Sequence, residues 1–312
     1  MRVSARRAAS IKPGGWRSDL RRHWPLYLMA LPAVAAVLVF SYGPLFGLMI
    51  GFLDYSPFLG FSGSEWVGWE NFRTAFSNPF FTTALRNSLI ISTLKLALGF
   101  PAAIILALLL NEARLRWLKV TVQTASILPF FISWVVVGTM FRALLGTDGA
   151  LNEVRTGLGW SGVSYLSDPG AFRWIIVFQD VWKGAGYGAV LYLAAMSSID
   201  PALYEAAEVD GASRWQRVRH ITLPGITGTM ITLFVISVGY LASAGFEQIY
   251  VMYNVSVLST ADILETLTLR LGLEQNDYGL ATAVGLFQGV ISLCLVGLAN
   301  FAVRRSGRDG LF

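Results

Sequence analysis

The sequence predicts an all-α integral membrane protein of six spanning helices, and three observations carry that prediction. Of its 312 residues, 54% are hydrophobic and 14% charged, where a soluble domain has about 25% charged residues. The apolar residues gather into six stretches, at about 25–53, 84–110, 120–145, 172–196, 226–253 and 280–303. Each approaches or exceeds the roughly 20 residues with which a helix crosses a bilayer. Lysine and arginine concentrate in alternate connections, as they do when a chain is sorted across a membrane.

The first stretch follows a basic tail, 1–24, and runs from Pro25 to Leu53. A cleaved signal has an apolar region of only about 7–15 residues, so this stretch reads as a retained span. Pro32, Gly43 and Pro44 within it, Pro101 in the second and Pro129 in the third are tolerated where neighbouring helices satisfy freed backbone groups. Lys95 in the second span and Arg142 in the third read as side chains that snorkel, Arg142 toward the outer surface, with no assigned role. The fourth span contains Asp180 and Lys183, and the fifth Glu247. The sixth holds the single cysteine, Cys294, a small packing or lipid-facing residue, and leads to a short basic tail, 304–312.

The basic residues orient the chain. With the N-terminus inside, sixteen lysines and arginines fall on the cytoplasmic side: Arg2, Arg6, Arg7, Lys12, Arg17, Arg21 and Arg22, then Arg114, Arg116 and Lys119, then Arg214, Arg217 and Arg219, then Arg304, Arg305 and Arg308. Five fall outside: Arg73, Arg86, Arg155, Arg173 and Arg270. Both termini are therefore expected in the cytoplasm. The same asymmetry accounts for the net charge of +5 without a nucleic-acid partner. Two distant histidines, His23 and His220, make no metal site. No Gly-Lys pair occurs, so there is no P-loop, and any ATP hydrolysis belongs to another subunit. The outer connections, 54–83, 146–171 and 254–279, hold aromatics such as Phe58, Phe61, Trp66, Trp69, Trp160 and Tyr165. These suit either the membrane interface or contact with an external protein. The last of them carries Asp262, Glu265, Glu274 and Asp277.

Between the fourth and fifth spans lies the most informative segment, Glu205 to Pro224. Asp200-Pro201 is a helix start, Asp at the N-cap and Pro at the first helical position. Gly211 suits a left-handed C-cap, and Ser213-x-x-Gln216 has the capping-box spacing of a second helix. The result is an elbow, two short helices around a tight turn, on the cytoplasmic face. On its own this is also what an amphipathic connection looks like.

The intervals Glu205-Ala206-Ala207, Asp210-Gly211-Ala212 and Ile221-x-Leu223-Pro224 resemble the coupling loop of ABC importer permeases. The resemblance extends through Leu108 to Glu112, Trp182-Lys183-x-x-Gly186-Tyr187, Tyr192 to Ala195 and Ile199 to Glu205, over most of 25–305. It lies toward the sugar importers. Asn276 to Gly279, Ala283 to Gln288 and Asn300 to Arg305 are similar to permeases of oligosaccharides and polysaccharides, alginate-type importers among them. The resemblance implies the six-helix type I importer permease fold with a cytoplasmic coupling helix. It implies a transport subunit of the bacterial inner membrane that is not itself an enzyme. It further implies a second permease, two copies of an ATPase that binds ATP and magnesium, an external solute-binding protein, and a sugar as substrate. Two positions depart from the pattern. Val218 stands where many relatives have Phe, which weakens a docking contact, and Gly228 stands where many have a second Pro, which makes the start of span five more pliable.

Asp180, Lys183, Gly184 and Tyr187 follow i, i+3, i+4, i+7 on span four, and Ser237, Tyr240, Ala244 and Glu247 follow i, i+3, i+7, i+10 on span five. Each set shares one face of its helix, with Gly184 and Tyr240 near mid-bilayer. Polar groups at that depth face a pore or each other, so the two stripes make a sugar path, with Lys183 suited to a uronate. By resemblance, maltose-type permeases use these two helices for substrate contact. Helix–helix packing at small residues and an Asp180–Lys183 ion pair account for the same pattern. Two other functions use Asp180 and Glu247: as proton relays in an ion-coupled carrier, or as the acid and base of a polysaccharide-processing membrane enzyme.

Overall fold

The computed structural model describes residues 16–305 together with 307 and 310. Arg2, Arg6, Arg7, Lys12 and Arg308 lie outside the described residues. Contacts divide the chain into two units, one ending at Met49 and one beginning at Ile50.

In the first unit α1 (Trp16–Val37) passes into a π-helical turn, Leu38–Tyr42. Its helix starts before the expected Pro25 and kinks at His23 (φ −114°, ψ 17°). Pro25 lacks the N–H that would continue the hydrogen-bond ladder there. Every residue from His23 to Phe46 is exposed, and a helix apolar on all sides belongs in lipid or against other protein. A 3₁₀ segment, Gly43–Phe52, follows.

The second unit opens with an antiparallel pair, β1 (Leu53–Asp54) and β2 (Glu65–Trp66), enclosing the short α2 (Gly60–Gly63) and followed by α3 (Glu70–Ser77). Asn71 Nδ2 donates to the carbonyls of Gly51 (3.1 Å) and Leu53 (2.9 Å). Phe52 stacks on Trp66 at 5.6 Å and meets Trp69 edge-on at 5.3 Å, so two of the connection's aromatics pack on Phe52 while still largely exposed.

The long helices are α4 (Pro79–Glu112), α8 (Pro169–Met196) and α16 (Tyr278–Arg305). Asn78 accepts from Phe80 N at 2.9 Å, and Asp168 accepts from Gly170 N and Ala171 N at 3.1 and 3.2 Å. With Pro at the next position, each cap starts its helix earlier than hydropathy placed it. α4 packs along α8 through small residues. A Cβ on Gly188 would stand 2.8 Å from that of Ala103, and Ala103, Ala107, Ala189 and Tyr192 share one buried cluster with Ile226.

Spans three and five are not single helices. α5 (Arg116–Ile127) runs through a 3₁₀ turn, Leu128–Phe131, and meets α6 (Trp134–Leu145) with α7 (Ala150–Gly157) beyond, at a bend of 105°. Pro129 and the Ser133 N-cap (Ser133 Oγ accepts from Val136 N, 3.4 Å) divide it. Past the connection formed by α9 (Pro201–Val209) and α10 (Arg214–Arg217), a π turn and α11 (Leu223–Gly225) bend by 60° into α12 (Thr227–Gly239). The chain then unwinds over Tyr240–Gly245, with Gly245 at φ +91°, before α13 (Phe246–Met252). Among the described residues three helices are long and apolar enough to cross a membrane, or five if each bent pair is one span. α8, with Arg173, Asp180 and Lys183, is not among them.

The connection 254–279, expected as a loop, is largely helical: a 3₁₀ turn, α14 (Leu258–Ala261), α15 (Leu264–Leu269) and a π turn to Glu274. It is fastened to α4 where Asn87 Nδ2 donates to Asp262 O (3.0 Å) and Ser88 Oγ accepts from Leu264 N (3.0 Å). Asp262 is not a solvated loop charge. It is buried and takes the Arg270 guanidinium at 2.6 Å, a bond that raises the arginine's pKa above its ordinary value.

Candidate functional site

The elbow forms through local chemistry. Asp200 Oδ1 accepts from Ala202 N at 2.9 Å and starts α9. At its far end Ala212 N donates to Ala207 O (2.8 Å) and Gly211 N to Glu208 O (3.1 Å), with Gly211 at φ +75°. That pair of bonds is the Schellman arrangement, which needs a left-handed residue at Gly211. Ser213 and Gln216 cap α10 reciprocally: Ser213 N donates to Gln216 Oε1 at 2.7 Å, and Gln216 N donates to Ser213 Oγ at 3.3 Å. Two longer ties brace the elbow, Arg217 to Glu208 at 3.2 Å and Tyr204 Oη to Thr222 Oγ1 at 2.9 Å.

No residue of α9 is buried. Glu205, Ala206, Asp210 and Gly211 are exposed, Ala207, Ala212 and Leu223 half-buried, and Pro224 exposed. Leu203, Val209 and Trp215 add apolar surface beside them, Val209 at 89% exposure. Val218 does not take part in that surface. It is buried inside the fold at 6% exposure, so the expectation that valine here weakens a docking contact is corrected: the position packs inward. The side of Gly228 where a Cβ would stand is open, and the bend lies just before it, at Ile226.

A cavity of about 460 Å³ lies between α4, α8, α12 and the unwound turn. Five residues of the two expected stripes line it: Asp180 and Gly184 from α8, and Ser237, Tyr240 and Ala244 from span five. Phe100, Tyr192, Ser92 and Ser243 add ring faces and hydroxyls, and Lys95 also borders the space. A Cβ on Gly184 would meet nothing within 4 Å, which widens the space there.

Three stripe residues do not line it. Lys183 is turned toward the break in span three, where its ammonium donates to the carbonyls of Pro129 (3.1 Å), Phe130 (2.7 Å) and Ile132 (2.7 Å). Tyr187 stacks on Phe130 at 4.1 Å. Glu247 is exposed on α13, beyond the break. The i, i+3, i+7, i+10 spacing presupposed an unbroken helix, and the turn at 240–245 rotates Glu247 out of register. Asp180 and Glu247 therefore do not face one another across the cavity.

Asp180 pairs not with Lys183 but with Lys95, at 3.3 Å. Lys95 does not snorkel. Its ammonium also donates to Gln248 Oε1 (2.5 Å) and Ala244 O (2.7 Å). Gln248 in turn donates to Ile176 O (2.7 Å) and Gln179 Oε1 (3.0 Å). Arg142 donates to Val251 O on α13 rather than reaching only outward. The signal for Lys95 was the cost of an ammonium at that depth; its partners lie about 85 and 150 residues downstream, beyond any local pattern.

Comparison with known proteins closes the assignment. The family described as "Binding-protein-dependent transport system inner membrane component" matches residues 99–308. Protein LplB of Bacillus subtilis (strain 168) is 42% identical over 95% of this chain and 94% of its own length. The polygalacturonan/rhamnogalacturonan transport system permease protein YteP of the same organism is 41% identical, covering 92% and 90%. A chain in the crystal structure of a bacterial alginate ABC transporter, in complex with an alginate pentasaccharide-bound periplasmic protein, superposes with a TM-score of 0.87. It is 39% identical, over 96% of this chain and all of that one. The match over more than half its length, and these relatives over nearly all of it, show that the chain belongs to the family of binding-protein-dependent transport system inner membrane components and has the type I ABC importer permease fold.

Proposed function

We propose that this chain is one of two permease subunits of an ATP-driven importer of an acidic, uronate-type oligo- or polysaccharide. An external binding protein delivers the sugar. Two copies of an ATPase, which hold ATP and magnesium, dock below, and no nucleic acid takes part. Both termini and the elbow face the cytoplasm, in line with the sixteen-to-five distribution of basic residues. Six spans cross the inner membrane, with α8 as the fourth.

One observation carries the reading: an exposed, locally self-capped elbow joins the two spans that line the cavity. Its turn is fixed by its own hydrogen bonds, so a push on its apolar surface, through Leu203, Val209 and Trp215, moves it as a unit. Glu205 offers a charged anchor, and Ala206 and Ala207 permit close approach. Leu223 and Pro224 then lead the motion into α12. Ring faces at Tyr240, Tyr192 and Phe100 suit stacking on sugar rings, and Ser237, Ser243 and Asp180 suit their hydroxyls. The acidic class is supported by the relatives, since polygalacturonan and alginate are both uronate polymers.

The test is Glu205→Lys and Gly211→Pro in the assembled transporter. Proline lacks the N–H given to Glu208 and cannot adopt φ +75°. Both variants are expected to insert in the membrane yet lose uptake of trigalacturonate and its stimulation of ATP hydrolysis. Normal uptake by both would remove the coupling role.

A further inference from the structure

An ammonium inside an apolar bundle is costly unless its hydrogen-bonding capacity is filled. That of Lys95 is filled from three directions. Asp180 comes from α8, and Gln248 and the Ala244 carbonyl from the two sides of Gly245. The Ala244 carbonyl sits near the end of the unwound turn, just before helical geometry resumes at Phe246. A Cβ on Gly245 would stand 3.1 Å from the same nitrogen, a tight contact that the glycine avoids. One further bond joins the far side of the unwound turn to α15, Ser243 Oγ to Glu265 Oε1 at 2.5 Å.

We infer that Lys95 is a positioning residue for transport: it pins the unwound turn 240–245 of span five to α4 and α8, and so sets where Tyr240 and Ser243 stand on the cavity wall. With its three acceptors in place the ammonium has little left to offer a sugar, and only 10% of its side chain is exposed. It acts through the residues it holds. Gln248 belongs to the same device from behind. It is 1% exposed, is absent from the cavity wall, and fixes the acceptor that Lys95 needs. The inference rests on the transport reading and deepens it by naming what shapes the pathway.

The experiment measures sugar moved per ATP hydrolysed in proteoliposomes of the whole complex, with trigalacturonate and maltotriose as probes. That ratio does not depend on how much transporter folds or assembles. Lys95→Met is expected to lower it about tenfold, a coupling free energy of ordinary size, and Lys95→Arg to recover it to within about threefold. Gln248→Met touches no cavity surface and is expected to lower the ratio in the same direction, which neither direct sugar contact nor general destabilisation would do. Should Lys95→Met fail to assemble, Gln248→Met alone decides. A ratio within about twofold of the unaltered complex in every variant that assembles overturns the inference while leaving transport intact. Absence of ATP-driven movement of either probe by the unaltered complex would overturn the transport reading, and the inference with it.

Discussion

Replacing Lys183 by methionine tests what holds span three in its 105° bend. The lysine is 8% exposed, and its ammonium lies 5.5 and 5.2 Å from the ring centroids of Phe130 and Trp134. Of its three carbonyl partners, Pro129 O also accepts from Ile132 N at 3.2 Å. The carbonyls of Phe130 and Ile132, each at 2.7 Å, therefore depend most on the ammonium. Methionine fills much the same volume but donates nothing. Two part-buried carbonyls left without a donor cost about 1–3 kcal/mol each. Relief of the ammonium's own desolvation offsets part of that, leaving about 3 kcal/mol. At about 2 °C per kcal/mol for a chain of this size, the midpoint of thermal unfolding falls by roughly 6 °C. Differential scanning fluorimetry of the purified complex measures it. A midpoint within about a degree of the unaltered protein would mean that the bend does not need the lysine, and the account of span three would be wrong.

Other outcomes follow from the same contacts. Gly186→Val places a Cβ against the backbone of Ser126 and Ile127. It should cost about 3 kcal/mol of overpacking, read as loss of the purified monodisperse complex, whereas Gly184→Ala, which faces open space, should purify normally. Arg270→Met leaves the Asp262 side chain, 4% exposed, without its counter-charge. Because Arg270 is itself 23% exposed, the cost is set below that of a wholly buried pair, at about 2–3 kcal/mol, and shows as faster proteolysis within 254–277. Ser213→Ala removes one half of the capping box and should cost about 1 kcal/mol, seen as faster amide exchange at Gln216 with little change elsewhere.

What was legible in the sequence was what is local. Asp200-Pro201, Gly211 and Ser213-x-x-Gln216 act within a few residues of themselves, and the elbow has the caps and turn they imply. The same grammar stood at Asn78-Pro79 and Asp168-Pro169, yet the starts of α4 and α8 were set by hydropathy and fell late. Apolarity reports burial in lipid or protein but not continuity, so the breaks at Pro129 and at 240–245 were invisible to it. The second break is what carried Glu247 off the expected stripe. Lys183 and Lys95 sat at a depth where some partner was required. Which partner was set by helix packing, bringing backbone carbonyls to one and Asp180, Gln248 and Ala244 to the other.

On the proposed function, force from nucleotide-driven closure of another subunit enters through the elbow around Glu205 and Gly211. A single cysteine at Ala212, in a chain with Cys294→Ala, tests it most directly in the assembled transporter. Labelling by a membrane-impermeant maleimide is expected only from the cytoplasmic side. A cross-link to the ATPase subunit is expected as well, with a yield that changes when ATP is added. Labelling from the outer side, or a cysteine that cross-links to no ATP-binding subunit, would contradict it.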